Sequence, residues 1–349
     1  CHDWQTGLVP VYMKERFHEG EFFRDMKSVI TIHNLKFQGI WDLKKVKDIT
    51  GLPPYFFTSD KLEAYGDANY LKGGIVYADA VTTVSESYAQ EIKTPFYGEH
   101  LDGLMRARSN CLTGIVNGID YDEFNPETDK RIVANYNQKT FRKEKVKNKK
   151  ALQQELGLEV NDKKFMIGIV SRLTDQKGFD LIAYMMDQIC TEDVQLVVLG
   201  TGESQYENMF RHFAWKYPGK VSANIYYSEA VSHKIYAACD AFLMPSLFEP
   251  CGLSQLMSLR YGTVPIVRET GGLKDTVEPY NEYESTGTGF SFANYNAHEM
   301  MNTINYAKHV YYNNKREWNK IVDRGMLKDF SWTSSAGKYE KLYDNLLGY

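Results

Sequence analysis

The stretch Phe165–Val170 (FMIGIV), followed by the loop SRLTDQKG over residues 171–178, decides the fold class. The run is apolar and does not alternate with polar residues, which is typical of a parallel strand covered on both faces. A helix is expected from about Gly178. Further strands are predicted downstream at Val194–Leu199, Val221–Tyr227, Ala241–Met244 and Val264–Val267. The alternation predicts a doubly wound, Rossmann-like α/β domain.

Helices are predicted around these strands, over Ser232–Cys239, over Gly252–Tyr261 and along the tail Ala297–Tyr349, with a break near Asp329–Trp332. Upstream, short β-rich runs at Val29–Ile32, Ala80–Val84 and Thr113–Val116 alternate with helix-like segments and predict a second parallel sheet. The turn signal Asn117–Asp120 and the polar stretch after it indicate a boundary. A length of 349 residues also predicts two domains. We therefore expect domains at 1–120 and 121–349.

Composition excludes several classes of protein. With 41 basic and 45 acidic residues, the net charge of −4 gives no general attraction to nucleic acid. No apolar run reaches the roughly 18 residues of a membrane span. Five widely spaced cysteines without a CxxC pattern predict neither a disulfide framework nor a zinc site, and indicate a reducing cytoplasm.

Two charged motifs are given the simpler interpretation. The basic run Arg142–Lys150 lacks interleaved aromatic residues, so we interpret it as a solvated helix face rather than a polyanion site. The DxD pattern Asp120-Tyr121-Asp122 lies at the domain boundary and not at a phosphate loop, so we assign no metal to it. No P-loop or GxSxG pattern occurs.

Candidate site residues follow the strands of the second domain, because ligands of open α/β sheets bind outside the carboxyl ends of strands. Arg172 and Lys177 lie in the loop after the first of these strands and before a helix, an arrangement that favours a phosphate group. The alternative is two exposed surface cations. Glu249 follows a later strand and suits sugar hydroxyls or a developing oxocarbenium ion; the alternative is helix capping.

Paired glycines follow the last clear strand. Gly271 and Gly272 allow backbone N–H groups to approach a diphosphate, although an ordinary strand–turn–helix connection also fits. The Gly200–Glu203 turn is a weaker signal of the same kind, because it lacks the third glycine of a dinucleotide fingerprint. Together these loops predict a site for a nucleotide diphosphate.

The motifs, taken in order, resemble those of the bacterial-type glycogen and starch synthases. The matching segments run along nearly the whole chain: His2–Gly7, Thr31–Leu35, Gln38-Gly39, Lys72–Gly74, Ala78-Asp79, Val84-Ser85, Val116–Asp120, Ser171–Leu173, Gln176–Gly178, Glu249–Leu253, Thr270–Leu273, Asp275-Thr276 and Asp329–Trp332.

This resemblance implies a GT-B fold, with two Rossmann-like domains facing a cleft and a last helix that returns to the first domain. It implies a retaining glucosyltransferase that moves glucose from ADP-glucose, or less favourably UDP-glucose, to the non-reducing end of an α-1,4-glucan in glycogen or starch synthesis. It implies no required metal and no cofactor. Neither nucleic acid nor a membrane is expected as a partner.

The resemblance also implies roles for individual residues. Arg172 and Lys177 would neutralise the departing diphosphate, Glu249 would contact the donor glucose, and His2 would bind that glucose from the first domain. The remaining implied donor contacts are Tyr227 at the base, Cys251, Gly252 and Leu253 at the glucose, and Thr270, Gly271 and Gly272 near the diphosphate. Gln38 and Asn117 would shape the acceptor side.

Retention of the anomeric configuration limits the possible mechanisms. One of them, double displacement, needs two carboxylates about 5 Å apart. The motifs hold no such pair, which favours front-face departure with Arg172 and Lys177 stabilising the leaving group. The family normally begins with a strand and a lysine–threonine–glycine–glycine loop that precede His2, so we interpret the chain as lacking that portion. Two other functions stay open: a non-catalytic nucleotide- or glucan-binding remnant, and a GT-B transferase with a small acceptor.

Overall fold

The computed structural model describes residues 1–191 and 193–348. Its internal contacts divide the chain into a first unit, Cys1–Asn117 together with the chain from Ser335 onward, and a second unit, Gly118–Ser334. The division falls three residues before the expected boundary at 120/121. The chain after Ser334 belongs to the first unit, where the Ser335 hydroxyl donates to the Val116 carbonyl at 2.7 Å.

A parallel sheet forms the centre of the first unit, with strand order β1-β5-β6. These strands lie close to the predicted positions. A separate antiparallel sheet has the order β2-β4-β3. The elements of this unit are β1 Val29–Ile32, β2 Ile40–Asp42, β3 Glu63–Ala64, β4 Asp67–Asn69, β5 Ala80–Thr83, β6 Leu112–Gly114, α1 Leu8–Tyr12, α2 Leu43–Thr50, α3 Tyr70–Tyr77, α4 Glu86–Glu91 and α5 Asp102–Ala107.

The second unit has one parallel sheet with strand order β12-β11-β10-β7-β8-β9. Its elements are α6 Phe141–Glu155, β7 Phe165–Val170, α7 Phe179–Ile189, β8 Val194–Leu199, α8 Ser204–Lys216, β9 Val221–Asn224, α9 Glu229–Ala238, β10 Ala241–Met244, α10 Ser254–Arg260, β11 Val264–Arg268, α11 Gly271–Thr276, β12 Phe290–Phe292, α12 Ala297–Asn313 and α13 Lys315–Leu327. Helix α14, Trp332–Leu347, begins here and continues in the first unit.

The central strands of this sheet are buried on both faces, as the apolar runs predicted. Every residue of β8 is buried, and so is β7 apart from its last residue. Because successive strand residues point to opposite faces, burial of all of them requires cover on both sides. Strand β7 pairs with β8 on one side and with β10 on the other. The chain therefore reverses its winding at β7, which creates the crevice where α/β sheets bind ligands.

Two sequence expectations need correction. The strand expected over Val221–Tyr227 ends at Asn224, whose side-chain amide donates to the Val198 carbonyl of β8 at 3.1 Å. The basic run Arg142–Lys150 is helical but is not a wholly solvated face. The Lys149 side chain is only 3% exposed, because its ammonium forms a 2.6 Å ion pair with Asp240.

Among the described residues, no helix combines the length and apolar character needed to cross a membrane.

Candidate active site

The loops after β7 and β10 meet at the carboxyl edge of the second unit's sheet. Lys177 donates from its ammonium group to Oε2 of Glu249 at 2.6 Å. The Ser246 hydroxyl donates to the same carboxylate oxygen at 3.0 Å. The side chains of Lys177 and Glu249 are only 16% and 8% exposed. The structure thus places two residues that are 72 positions apart in a shielded ion pair at the switch point of the sheet.

Backbone and amide contacts hold these two loops in register. The Leu247 N–H donates to the Gln176 carbonyl at 2.9 Å, and the Gln176 side-chain amide donates to the Phe248 carbonyl at 3.1 Å. Gly178 directly precedes α7 with φ of 74°, and a Cβ there would lie 2.1 Å from the Pro245 carbonyl oxygen. Only glycine fits this approach, so the position of Lys177 depends on its neighbour.

A cavity of about 190 Å³ opens beside the ion pair. Arg172 is exposed at this cavity, so its guanidinium is accessible to a ligand. Five of the predicted residues line the cavity: Arg172, Lys177, Glu249, Gly252 and Leu253. A cavity that combines two cations, one buried carboxylate and apolar walls suits a phosphorylated sugar.

The glycine turn after β11 packs against the Glu249 loop. Gly271 has φ of 43°, and a Cβ there would lie 2.0 Å from the Glu249 carbonyl oxygen. The Gly272 N–H donates to the carbonyls of Glu249 and Pro250 at 3.1 and 3.2 Å. Thr270, which precedes them, is fully buried. The pair of glycines therefore permits close packing of two loops, and the Gly272 amide is already engaged within the protein.

Two residues that the sequence analysis missed support the Glu249 loop. Arg268, at the end of β11, donates to the Leu247 carbonyl at 2.7 Å. The buried amide of Gln255 donates to the carbonyls of Cys251 and Gly252 at 3.0 and 2.9 Å. The sequence signal that could have found Arg268 is its position at the end of a predicted strand, which is comparable to the position of Arg172. Cys251 itself is buried behind this turn.

Tyr227 follows β9 at the same edge of the sheet. Its side chain is on the surface, and 87% of the residue is exposed. The neighbouring Tyr226 hydroxyl donates to Asn224 at 3.3 Å. An aromatic ring with exposed faces can stack on a nucleotide base.

The first unit carries the other predicted residues. Nδ1 of His2 lies 2.9 Å from Nε2 of His33. His33 follows β1 and lies in the Thr31–Leu35 motif, but the sequence did not identify it as a site residue. Asp3 accepts from the His33 N–H at 2.8 Å. Partial burial and the neighbouring His33 lower the pKa of His2. The carboxyl edge of this sheet therefore presents two imidazoles.

Gln38 and Asn117 differ in their surroundings. Gln38 is buried; its amide donates to the carbonyls of Leu35 and Glu99, and its oxygen accepts from Asn69 at 2.6 Å. These bonds make Gln38 an internal brace of its loop. Asn117 is half-buried after β6, at the same sheet edge as His33.

Comparison with known proteins identifies the fold and the family. Residues 1–107 match the family model "Starch synthase catalytic domain", and residues 151–321 match "Glycosyl transferases group 1". A chain of the starch synthase IV catalytic domain from Arabidopsis thaliana, bound to ADP and acarbose, superposes with a TM-score of 0.92 at 33% identity over 100% of this chain and 72% of that chain. Sucrose-phosphate synthase from Thermosynechococcus elongatus shares the fold, with a TM-score of 0.62 at 19% identity over 99% of this chain and 73% of its own. The fold and site therefore define a GT-B glycosyltransferase.

Curated relatives specify the family. The glycogen synthase of Lachnospira eligens is 82% identical over 346 residues, which is 99% of this chain and 72% of the relative. The glycogen synthase of Clostridium acetobutylicum is 51% identical over 347 residues, again 99% of this chain and 72% of the relative. The chain belongs to the glycogen and starch synthase family, and it is a glycosyltransferase of the glycogen synthase type.

Proposed function

We propose that the protein transfers glucose from ADP-glucose to the non-reducing end of an α-1,4-glucan with retention of configuration. The observation that carries this proposal is the shielded Lys177–Glu249 pair beside the exposed Arg172 at the switch point of the sheet. Support for ADP-glucose over UDP-glucose comes from the Arabidopsis relative, whose structure holds ADP and acarbose. The free state of all five cysteines supports a cytoplasmic setting.

In the proposed reaction, the bond between the anomeric carbon and the diphosphate breaks while a bond from the acceptor hydroxyl oxygen forms on the same face. The proton of that hydroxyl passes to the departing phosphate oxygen. Negative charge therefore grows on the diphosphate, where Arg172 and Lys177 supply fixed positive charge in a partly dehydrated cavity. The side chains of the protein supply this stabilisation, so the proposal assigns no role to a metal or a cofactor.

Glu249 is better suited to binding than to nucleophilic attack. Its Oε2 accepts hydrogen bonds from Lys177 and Ser246, and both stabilise negative charge on the carboxylate. A carboxylate held in this way has reduced nucleophilicity and is fixed in direction. We propose that Glu249 accepts from hydroxyls of the donor glucose and keeps Lys177 pointed at the diphosphate. The exposed Tyr227 ring would stack on the base, while Cys251, Gly252, Leu253 and the turn at Thr270, Gly271 and Gly272 shape the glucose and diphosphate subsites.

In the first unit, we propose that His2 contacts the donor glucose, with His33 orienting its ring. Asn117 would serve the acceptor side. Gln38 would act there through its loop, because its amide is occupied by internal hydrogen bonds.

The test is incorporation of labelled glucose. ADP-glucose and UDP-glucose are each offered with glycogen, maltoheptaose or free glucose, with and without EDTA. We expect incorporation into glycogen and maltoheptaose from ADP-glucose, unaffected by EDTA. Binding of ADP without transfer would instead identify a non-catalytic remnant. Transfer to glucose alone would identify a transferase with a small acceptor, and preference for UDP-glucose would overturn the donor assignment.

A further inference from the structure

A buried histidine with one unused ring nitrogen lies in the second unit, outside the donor cavity. His233 is on α9 and is fully buried. Its Nδ1 lies 2.7 Å from Oδ2 of Asp129, which also accepts from the Tyr261 hydroxyl at 2.7 Å. A carboxylate oxygen only accepts, so the Nδ1 atom carries the proton of this bond, and a ring in that tautomer has its lone pair at Nε2. Among the described residues, Nε2 has no hydrogen-bond partner although it is buried.

Two carboxylates lie in front of that lone pair. Glu229 stands four residues before His233 on α9, so both side chains lie on one face of the helix. Oε1 of Glu123, from the segment before α6, lies 3.9 Å from Nε2 of His233. One ligand atom from each of the three side chains lies within 4.8 Å of the other two. The glutamate side chains are 39% and 52% exposed, which gives an entry path from solvent.

We propose that Glu123, Glu229 and His233 form a binding site for a divalent transition metal ion of the zinc type. One imidazole and two carboxylates are a donor set that zinc accepts, with solvent in a fourth position. In a tetrahedral site with bonds near 2.1 Å, ligand atoms are roughly 3.4 Å apart. Closing the cluster to that size needs only small rotations of the two flexible glutamates, since His233 is already fixed.

The surroundings of His233 have the form of a metal ligand's outer shell. Asp129 fixes the tautomer and orients the ring by accepting from Nδ1, which is the usual arrangement behind a metal-bound histidine. Phe124 stacks on a face of the imidazole at 4.7 Å between centroids. The hydrogen bond and the stacked ring together favour the orientation in which Nε2 faces Glu123.

Arg131 occupies this site as a competing cation. Its guanidinium forms ion pairs with Glu123 and with Glu229, the latter at 3.3 Å, and contacts Asp129 at 3.4 Å. A divalent ion would bind the two glutamates in place of the arginine, whose side chain is 32% exposed and can swing into solvent. Removal of Arg131 should therefore tighten metal binding, whereas a purely structural ion-pair network predicts only a loss of stability.

The test uses the whole chain, stripped with EDTA and titrated with CoCl2 by visible absorption, then with ZnCl2 in competition with a chromogenic chelator. We expect one site, with no thiolate charge-transfer band. Glu229→Gln should weaken binding at least about tenfold, and Arg131→Gln should strengthen it. Glu229 is half-exposed, so its replacement preserves folding where His233→Gln could fail.

Glu155→Gln is the matched control, because Glu155 pairs with Lys234 on the same helix α9. It should leave the affinity unchanged. Equal weakening in Glu155→Gln and Glu229→Gln, binding that no variant alters, or less than one ion per chain would overturn the proposal. Tighter binding in Arg131→Gln, together with weaker binding in Glu229→Gln, would support it.

Discussion

Lys177 and Glu249 come from the loops after two neighbouring parallel strands, and their 2.6 Å ion pair joins those loops at the point where the sheet reverses its winding. The pair has one cation facing the cavity and one carboxylate oxygen held from two sides. This places a preorganised charge at the proposed scissile bond without requiring the loops to move.

Loss of either proposed catalytic cation should depress turnover. We expect Arg172→Ala and Lys177→Ala each to reduce kcat about 10²–10³-fold, which is the effect of removing one preorganised charge stabiliser. Initial rates with ADP-glucose and maltoheptaose measure this. Arg211→Ala removes a surface arginine of α8 and should leave kcat unchanged. Near-normal turnover in both site variants would contradict their role.

The ion pair should also contribute to stability. Glu249→Gln leaves the Lys177 ammonium partly buried without its counter-charge, and we expect a loss of about 1.5–3 kcal/mol in the free energy of unfolding. Urea unfolding of Glu249→Gln, Lys177→Met and the double variant measures the coupling. The exposed pair Lys234–Glu155 is the comparison, and Glu155→Gln should cost below about 1 kcal/mol. Additive effects of Glu249→Gln and Lys177→Met would show that the pair is not coupled.

Close packing of loops makes one glycine indispensable. In Gly178→Ala the new Cβ would overlap the Pro245 carbonyl, so we expect lost stability together with lost activity. Gly157→Ala is the control, because Gly157 has a similar φ of 68° but open space around it. That variant should cost only about 1–2 kcal/mol for the left-handed backbone and should retain activity. Equal effects of the two alanines would contradict the packing argument.

Tyr227 should contribute to binding of the donor and not to the stability of the fold. We expect Tyr227→Ala to raise the KM for ADP-glucose roughly 5–100-fold, in line with loss of one base–aromatic stack, with the melting temperature unchanged. Tyr283→Ala, which replaces a ring that is 92% exposed elsewhere on the unit, should change neither. An unaltered KM in Tyr227→Ala would remove the tyrosine from the donor site.

Low pH should lower the folding stability of the first unit, because it protonates Asp79. Burial opposes ionisation of this carboxylate, but hydrogen bonds from Ser28 and the ion pair with Lys14 outweigh it and hold its pKa below the ordinary value. Because the folded pKa is depressed, the stabilisation is present above the unfolded pKa of about 3.9 and is lost as pH falls through the folded value. Urea midpoints of the wild type and Asp79→Asn should therefore differ at pH 6 and converge toward pH 3. Asp48→Asn, at an exposed position of α2, is the control, and its urea midpoint at pH 6 should stay close to that of the wild type.

The sequence predicted the strands well because their burial leaves a continuous apolar run, as in Phe165–Val170. The doubly wound class also places the fourth strand of the sheet beside the first, as β10 lies beside β7. The sequence missed Arg268 and Gln255. Both act on carbonyl groups that only the folded chain brings near.

The basic helix α6 shows a different limit. Lysines are almost never fully buried, so a run rich in lysine predicts a solvated face. Here Lys149 pairs with Asp240, and Lys145 donates to carbonyls at the end of α9, including that of Ala237 at 2.9 Å. Their spacing of four residues puts both on the inner face, but the acceptors that make burial tolerable lie about 90 residues away in the chain.

The assignment of the chain after Ser334 to the first unit has a practical meaning for dissection of the protein. The second unit is one uninterrupted segment, Gly118–Ser334, and its last residues are the start of helix α14. The first unit consists of two segments of the chain that are separated by the whole second unit. A stop codon near position 334 would therefore remove the second segment of the first unit. Expression as two polypeptides split at Asn117 would leave the first product without that segment, which the second product would carry instead.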